Sequence, residues 1–262
     1  MKLSQNLKLA IDASIQAGKK IIEIYNSDNF NLEYKLDDSP LTLADTASNK
    51  IIENILETSN IPILSEEGNF LDFNNRKNLK QLWIVDPLDG TKEFIKKNNE
   101  FTINIALIEN SKPVIGVIYA PALNVLYFAE RKLGAYKIMI TTLDEFDISK
   151  ALSLPLVKKS NEYKVITSRS HLDDNTLNYI DNLKFNNLKV VSVPMGSSLK
   201  FCFLAEGLAD CYPRFSPCME WDTAAGQVIC EQVGFKVVDL KTMKPIDYNR
   251  ENLINNYFIA KK

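Results

Sequence analysis

The chain has 262 residues, of which 45% are hydrophobic and 24% charged, a globular balance that excludes a disordered protein. Lys and Arg number 31 against 33 Asp and Glu, so the formal net charge of -2 leaves no global basic field for a nucleic-acid polymer. No apolar run approaches the roughly 20 residues of a transmembrane helix, and Met1 to Asn6 lacks the apolar core of a secretory signal.

The four cysteines, Cys202, Cys211, Cys218 and Cys230, form no Cys-x-x-Cys pair. Neither a zinc ribbon nor a disulfide scaffold is expected, and a reducing, cytoplasmic compartment is the simplest setting. Cys202 and Cys230 fall on predicted helices as small core residues. Cys218, in Ser216-Pro217-Cys218-Met219, is expected to be more exposed. The single histidine, His171, rules out multi-histidine metal sites. Hydrolysis would have to run on carboxylates, hydroxyls, lysines or an oxygen-liking cation such as Mg²⁺.

In chain order, Leu3, Leu7, Ala10, Ile11, Ile15, Ile22 and Tyr25 have helical spacing and predict a helix over 3–25. Ser39-Pro40 marks a turn, and a second helical pattern runs over 43–56. Ile61-Pro62-Ile63-Leu64 reads as a buried strand running into Ser65-Glu66-Glu67-Gly68. Residues 68–80 are rich in Asn and charge, without periodicity, and are expected to form a mobile loop. Leu82-Trp83-Ile84-Val85 is a second apolar strand. Phe101, Ile103, Ile105 and Leu107 then alternate with smaller or polar residues, and apolar runs follow at 114–119, 125–129 and 135–140. The turns between them predict an antiparallel meander.

After Pro155 strands at 164–167, 189–193, 209–212 and 235–238 alternate with helices at 173–183, 197–206 and 221–233. This reads as a layered α/β half. A boundary near 150–160 divides the chain into an N-terminal α+β half, 1–155, and a C-terminal α/β half, 156–262.

Both early apolar strands end in acids: Leu64-Ser65-Glu66-Glu67, and Val85-Asp86-Pro87-Leu88-Asp89-Gly90-Thr91. A further acid, Asp222, starts the helix of Glu220-Trp221-Asp222-Thr223-Ala224-Ala225-Gly226. Each alone reads as a turn former or helix cap. Together they supply what a hard divalent cation wants, carboxylate oxygens from several chain segments. Pro87 fixes its own φ and Gly90 permits close approach of the backbone to a ligand. The N–H groups of Gly90 and Thr91 would face an anion, and a cation site beside an anion site is the layout of metal-assisted phosphoryl transfer.

At these residues the chain resembles the inositol monophosphatase superfamily, Mg²⁺-dependent and Li⁺-sensitive phosphomonoesterases, over essentially its whole length. Three stretches resemble the bacterial CysQ-type 3'(2'),5'-bisphosphate nucleotidases within it. They are Asp89-Gly90-Thr91-Lys92-Glu93-Phe94-Ile95-Lys96, where inositol phosphatases usually have Asn in place of Glu93, Ser168-Arg169-Ser170-His171, and Gly196-Ser197-Ser198-Leu199-Lys200-Phe201-Cys202 with Ala205 to Arg214.

The resemblance implies a mixed α/β fold, a layered αβαβα sandwich, with the metal site between the halves. It implies two or three Mg²⁺ per site, held by Glu66, Asp86, the carbonyl of Leu88, Asp89 and Asp222. Asp45 and the Thr91 hydroxyl would orient and deprotonate the attacking water, with Glu66 as the third catalytic residue and Glu67 standing behind it. Substrate would touch Glu66, Leu88, Asp89, Gly90, Thr91, His171, Ser197, Lys200, Arg214 and Asp222. Lys200 and Arg214 would hold a second phosphate away from the acids.

The implied reaction is removal of the 3'-phosphate from adenosine 3',5'-bisphosphate, with its sulfated analogue as a second candidate substrate, within sulfur assimilation. The partner is thus a small nucleotide. A peripheral association with the inner membrane is open, as is the oligomeric state. The rival readings are an inositol or sugar phosphatase with the same metal chemistry, and a metal-binding regulatory module without turnover. The Asp45–Thr91 pair argues against the last, because binding alone needs no water-activating relay.

Overall fold

The structure is a computed structural model that describes residues 1–27, 30–35, 40–68, 71–140, 146–157, 161–169, 173–185 and 189–262. The first half opens with helix α1 (Gln5–Tyr25), a small hairpin of β1 (Glu33–Tyr34) and β2 (Pro40–Leu41), and helix α2 (Leu43–Leu56). Ser4 caps α1, its hydroxyl accepting the Leu7 N–H at 3.1 Å. A sheet then grows strand by strand in sequence order. Its members are β3 (Ile63–Ser65), β4 (Gln81–Asp89), β5 (Thr102–Glu109), β6 (Lys112–Ala120), β7 (Val125–Glu130), β8 (Gly134–Met139) and β9 (Leu152–Ser153). Two short helices interrupt it, α3 (Phe73–Arg76) before β4 and α4 (Thr91–Ile95) after it.

The second half contains β10 (Tyr163–Ser168), α5 (Asp174–Phe185), β11 (Val190–Met195), α6 (Leu199–Glu206), β12 (Cys211–Arg214), α7 (Glu220–Glu231), β13 (Lys236–Asp239), β14 (Lys244–Pro245) and β15 (Phe258–Lys261). Its strands form a second sheet in the order β11-β10-β12-β15-β13-β14.

Period-two alternation sorts the strand residues into layers. Trp83, Val85, Ile103, Ile105 and Leu107 face α1 and α2 in one apolar cluster. Their neighbours Leu82, Ile84, Ala106 and Ile108 face the other way, onto Leu199, Phe201 and Leu204 of α6 and Trp221, Ala224 and Val228 of α7. The same cluster continues to Ile166, Tyr212, Val237 and Phe258 of the second sheet. Beyond that sheet, Val165, Cys211 and Ile259 pack with Ile180 of α5. The expected αβαβα sandwich is therefore present, with α6 and α7 as the middle layer. Burial on both faces explains why β4 reads as an unbroken apolar run.

Some expectations need correction. Within 68–80 the chain is not a loop throughout: Asp72 caps α3, accepting the Asn74 N–H, and the Arg76 guanidinium is buried against Asn249 Oδ1 at 2.8 Å. A one-turn helix is too short to show periodicity, and its anchor lies in the C-terminal segment. Strand β12 runs to Arg214 with Pro213 opposite Ile259, so Arg214 is within the strand and not beyond it. Cys218 is buried beneath Asn255, contrary to the expectation of exposure. β14 and β15 had no counterpart in the sequence reading. Among the described residues, no helix is long and apolar enough to cross a membrane.

Candidate active site

The two acidic strand ends meet because β3 and β4 are parallel neighbours, with Ser65 opposite Val85. The Glu66 N–H donates to the Val85 carbonyl at 3.1 Å, setting Glu66 beside Asp86. β4 then bulges. Asp86 is opposite Asn104 and Asp89 opposite Thr102, so β4 carries one extra residue between them. Pro87 cannot donate to the ladder, which favours the bulge here. Its carbonyl accepts the Ser48 hydroxyl at 2.7 Å, and the Leu88 N–H turns back onto Asp86 Oδ1 at 3.1 Å. Gly90 follows at φ +92°, left-handed backbone that suits glycine. A Cβ there would stand 3.1 Å from the Glu100 carbonyl oxygen and 3.3 Å from Ser197 Cβ.

Asp222 and Asp45 each serve as a helix cap as well as a site residue. Asp222 Oδ2 accepts the Met219 N–H at 2.8 Å at the start of α7. Asp45 Oδ2 accepts the Thr42 N–H at 2.7 Å and its hydroxyl at 2.5 Å in a capping box on α2. That leaves Asp45 Oδ1 for the Thr91 hydroxyl, 3.1 Å away, with the Leu88 carbonyl a second acceptor at 3.3 Å.

Carboxylate oxygens of Asp86, Asp89 and Asp222 lie within 4.8 Å of one another. Burial, reinforced by Glu66, Asp89 and Asp222, pushes the Asp86 carboxyl well above the usual range. Burial, then Asp89 and Glu66, raises Asp222 to about 7. Burial also raises Asp45 to about 6, although the Thr42 and Thr91 hydrogen bonds oppose it. Crowded like charges in a buried pocket of hard oxygen donors fit a divalent cation. Glu66 lines the same cavity but stands outside this trio. Its Oε1 accepts from Lys35 Nζ at 2.8 Å, and Glu67 Oε1 accepts from the same ammonium at 2.5 Å. Burial pulls the Lys35 ammonium down, but the two glutamates outweigh it and hold it protonated.

The cavity, about 360 Å³, is lined by Glu66, Asp86, Leu88, Asp89, Gly90, Thr91 and Asp222 together with Ser197, Lys200 and Arg214. Lys200, on the first turn of α6, is buried, its Nζ 3.5 Å from the Met195 carbonyl and 5.8 Å from the Tyr212 ring centroid. Burial lowers its pKa to about 8, with Asp89 raising it and Arg214 lowering it. Arg214 is anchored through Nε and Nη2 to the carbonyls of Ser216 and Pro217. The two cations do not stand apart from the acids, as the sequence suggested. They share one cavity with them. His171 lies outside the described residues.

Sequence reasoning missed four residues of the site. Thr42 was legible in principle, since Thr42-x-x-Asp45 is a capping-box pattern. Lys35, Asn104 and Ser198 carried no signal. The Ser198 hydroxyl lies 2.7 Å from Asp89 Oδ2 and 3.0 Å from the Asp222 carbonyl oxygen, and accepts from Asn104 Nδ2 at 2.9 Å. It joins the acids of both halves.

Comparison with known proteins agrees with this architecture. The 3'(2'),5'-bisphosphate nucleotidase CysQ of Salmonella typhimurium is 43% identical over 247 residues, covering 92% of this chain and 94% of that protein. The Buchnera aphidicola nucleotidase of the same name is 44% identical over 257 residues, covering 93% and 89%. The crystal structure of CysQ from Bacteroides thetaiotaomicron superposes with a TM-score of 0.90 at 45% identity, over 98% of this chain and 96% of that one. The Thermotoga maritima inositol monophosphatase, at 23% identity and TM-score 0.77 over 98% and 92%, shares the fold. The model of the inositol monophosphatase family matches residues 2–260, and with the clustered acids Asp86, Asp89 and Asp222 in its cavity the chain belongs to that family.

Proposed function

We propose that the protein is a Mg²⁺-dependent 3'(2'),5'-bisphosphate nucleotidase that hydrolyses adenosine 3',5'-bisphosphate to AMP and phosphate. One observation carries this reading beyond a generic phosphatase: a single cavity holds the acid trio together with two buried or half-buried cations, Lys200 and Arg214. A nucleoside bisphosphate carries two phosphates on one ribose, so both ends must be served from one cavity. An inositol monophosphate has no use for the second.

Asp86, Asp89, Asp222, the Leu88 carbonyl and Glu66, which here pairs with Lys35, are the residues that would hold Mg²⁺. Bound there, Mg²⁺ supplies Lewis acidity toward the phosphoryl oxygens and the attacking water. The chain's own residues do the rest. Thr91 donates a hydrogen bond to Asp45 Oδ1, which leaves the hydroxyl lone pairs free to accept from water. As water attacks phosphorus its proton passes to Thr91 while the Thr91 proton passes to Asp45, held by Thr42. The P–O3' bond breaks, and the 3'-oxygen leaves as the alcohol by taking a proton from solvent, to which Asp45 later returns its own. Lys200 and Arg214 hold the 5'-phosphate, and Ser197 adds a hydroxyl to the same wall. Phosphate release from adenosine 3',5'-bisphosphate with and without Mg²⁺, against inositol 1-phosphate and fructose 1,6-bisphosphate, tests the reading. Preference for inositol 1-phosphate would overturn it.

Lys200→Met is expected to lower kcat/KM for adenosine 3',5'-bisphosphate by about one to two decades, since a charge-assisted phosphate contact is worth roughly 1.5–3 kcal/mol. Hydrolysis of 3'-AMP, which lacks the 5'-phosphate, should barely change. An unchanged ratio of the two kcat/KM values removes Lys200 from 5'-phosphate recognition.

The raised carboxyls predict a linked pH effect. Asp222, at about 7 when folded against an ordinary 3.8, binds its proton more tightly in the folded state than in the unfolded chain. Metal-free stability therefore falls as pH rises through that interval. Mg²⁺ needs the ionised form, so its stabilisation grows over the same range. The rise in Tm on adding excess Mg²⁺ should be larger at pH 8 than at pH 5 by at least about 3 °C. Equal rises would show that these acids do not hold the ion.

A further inference from the structure

Glu100 lies in the connection between α4 and β5, outside the residues that line the cavity. Its carboxylate nevertheless collects donors from two other segments. Arg169, just past the end of β10, donates Nε to Oε2 and Nη2 to Oε1, each at 2.6 Å. The Gly196 N–H, just past the end of β11, donates to Oε2 at 2.8 Å. Arg169 also ties the two strand ends together, its Nη2 reaching the Pro194 carbonyl at 3.1 Å and its N–H the Met195 carbonyl at 3.3 Å.

Packing at this point is tight. A Cβ on Gly196 would stand 3.0 Å from Glu100 Cβ, Glu100 Oε2 and Glu93 Cγ, so any larger residue would have to push these side chains back by a few tenths of an ångström. The next residue, Ser197, has φ +46°, left-handed backbone in a residue that is not glycine. Such a conformation persists only where the surroundings hold it. Ser197 and Lys200 follow directly from this turn and form the cationic wall of the cavity. The backbone carbonyl of the same Glu100 abuts Gly90 on the acidic side.

An exposed ion pair alone would contribute little. Here the fork is bidentate, and the third donor is a backbone amide one residue from the substrate wall. We propose that Glu100 is a positioning residue for substrate selection: through Arg169 and the Gly196 amide it sets the Ser197–Lys200 wall at the distance from Gly90 that lets one cavity hold both phosphates of a nucleoside bisphosphate. This rests on the nucleotidase reading above.

The test is Michaelis kinetics of Glu100→Gln on adenosine 3',5'-bisphosphate and 3'-AMP, with AMP as a competitive inhibitor. Displacement of the wall should lower the bisphosphate to 3'-AMP ratio of kcat/KM about tenfold. The loss should lie in KM, with the Ki of AMP rising in parallel. Arg169→Met should give the same split, and the double variant should be no worse than either single. A purely structural role would lower both substrates alike with a fall in Tm, and that result, or parameters equal to wild type, overturns the proposal. Wild-type turnover of the bisphosphate separates the two ideas. If it is present and the variants match wild type, the brace fails while the nucleotidase reading stands. If it is absent, both fall.

Discussion

Asp89→Asn should lose about three decades of kcat/KM, corresponding to about 4 kcal/mol of transition-state stabilisation. The amide keeps the shape of the carboxylate and still offers an oxygen to the Ser198 hydroxyl, which lies 2.7 Å from Asp89 Oδ2. What it removes is charge from the trio that lies within 4.8 Å. The same charge raises the carboxyls of Asp86 and Asp222, so without metal the variant should be at least as stable as wild type. Lost activity with an undiminished metal-free Tm separates lost chemistry from misfolding. Turnover near wild type at saturating Mg²⁺ would remove Asp89 from the metal set.

Thr91→Ala should lower kcat by about two to three decades with little change in KM, because the hydroxyl acts on water and not on the nucleotide. Asp45→Asn should match it, since an amide retains an acceptor for the Thr42 N–H, 2.7 Å from Oδ2, but cannot take the proton. With the Thr91 hydroxyl 3.1 Å from Asp45 Oδ1, the two form one relay, and the double variant should be hardly worse than either single. Multiplicative losses would show that they work independently. The acid limb of kcat should lie at or below pH about 6, where Asp45 gives up its proton, and a cation nearby moves it lower. Asp45→Asn should remove that limb.

Several of these expectations were visible without coordinates. Asp86-Pro87-Leu88-Asp89-Gly90-Thr91 is contiguous, and its turn chemistry is local: the Asx contact of Asp86 with the Leu88 N–H spans two residues. The meander from β5 to β8 was legible for the same reason, since alternation and short turns are near-neighbour properties. The Asp45–Thr91 pairing came by resemblance, and only its Thr42 cap had a readable pattern. Glu66 shows the limit of such reading. As a strand-end acid it looked equivalent to Asp86, yet the structure gives its carboxylate to Lys35 and leaves it outside the trio.

By itself the sequence determined the antiparallel meander of the first part, the layered α/β pattern of the second and the clusters of oxygen-donor acids, while the layered sandwich of the whole chain came by resemblance. Hydrophobic period and turn residues act over a few positions, so they survive in one dimension. Only the tertiary structure decided that Lys200 and Arg214 share one cavity with the acids. The same holds for Ser198 joining Asp89 to the start of α7, for Arg76 closing a one-turn helix against Asn249, and for β15 threading between β12 and β13. Glu100 meets Arg169 and Gly196 across 69 and 96 residues. The Ser198, Arg76 and Glu100 contacts each join segments far apart in the chain through a few polar atoms. Such pairings leave no periodic trace, because their partners are chosen by the packing of α6 and α7 between the two sheets.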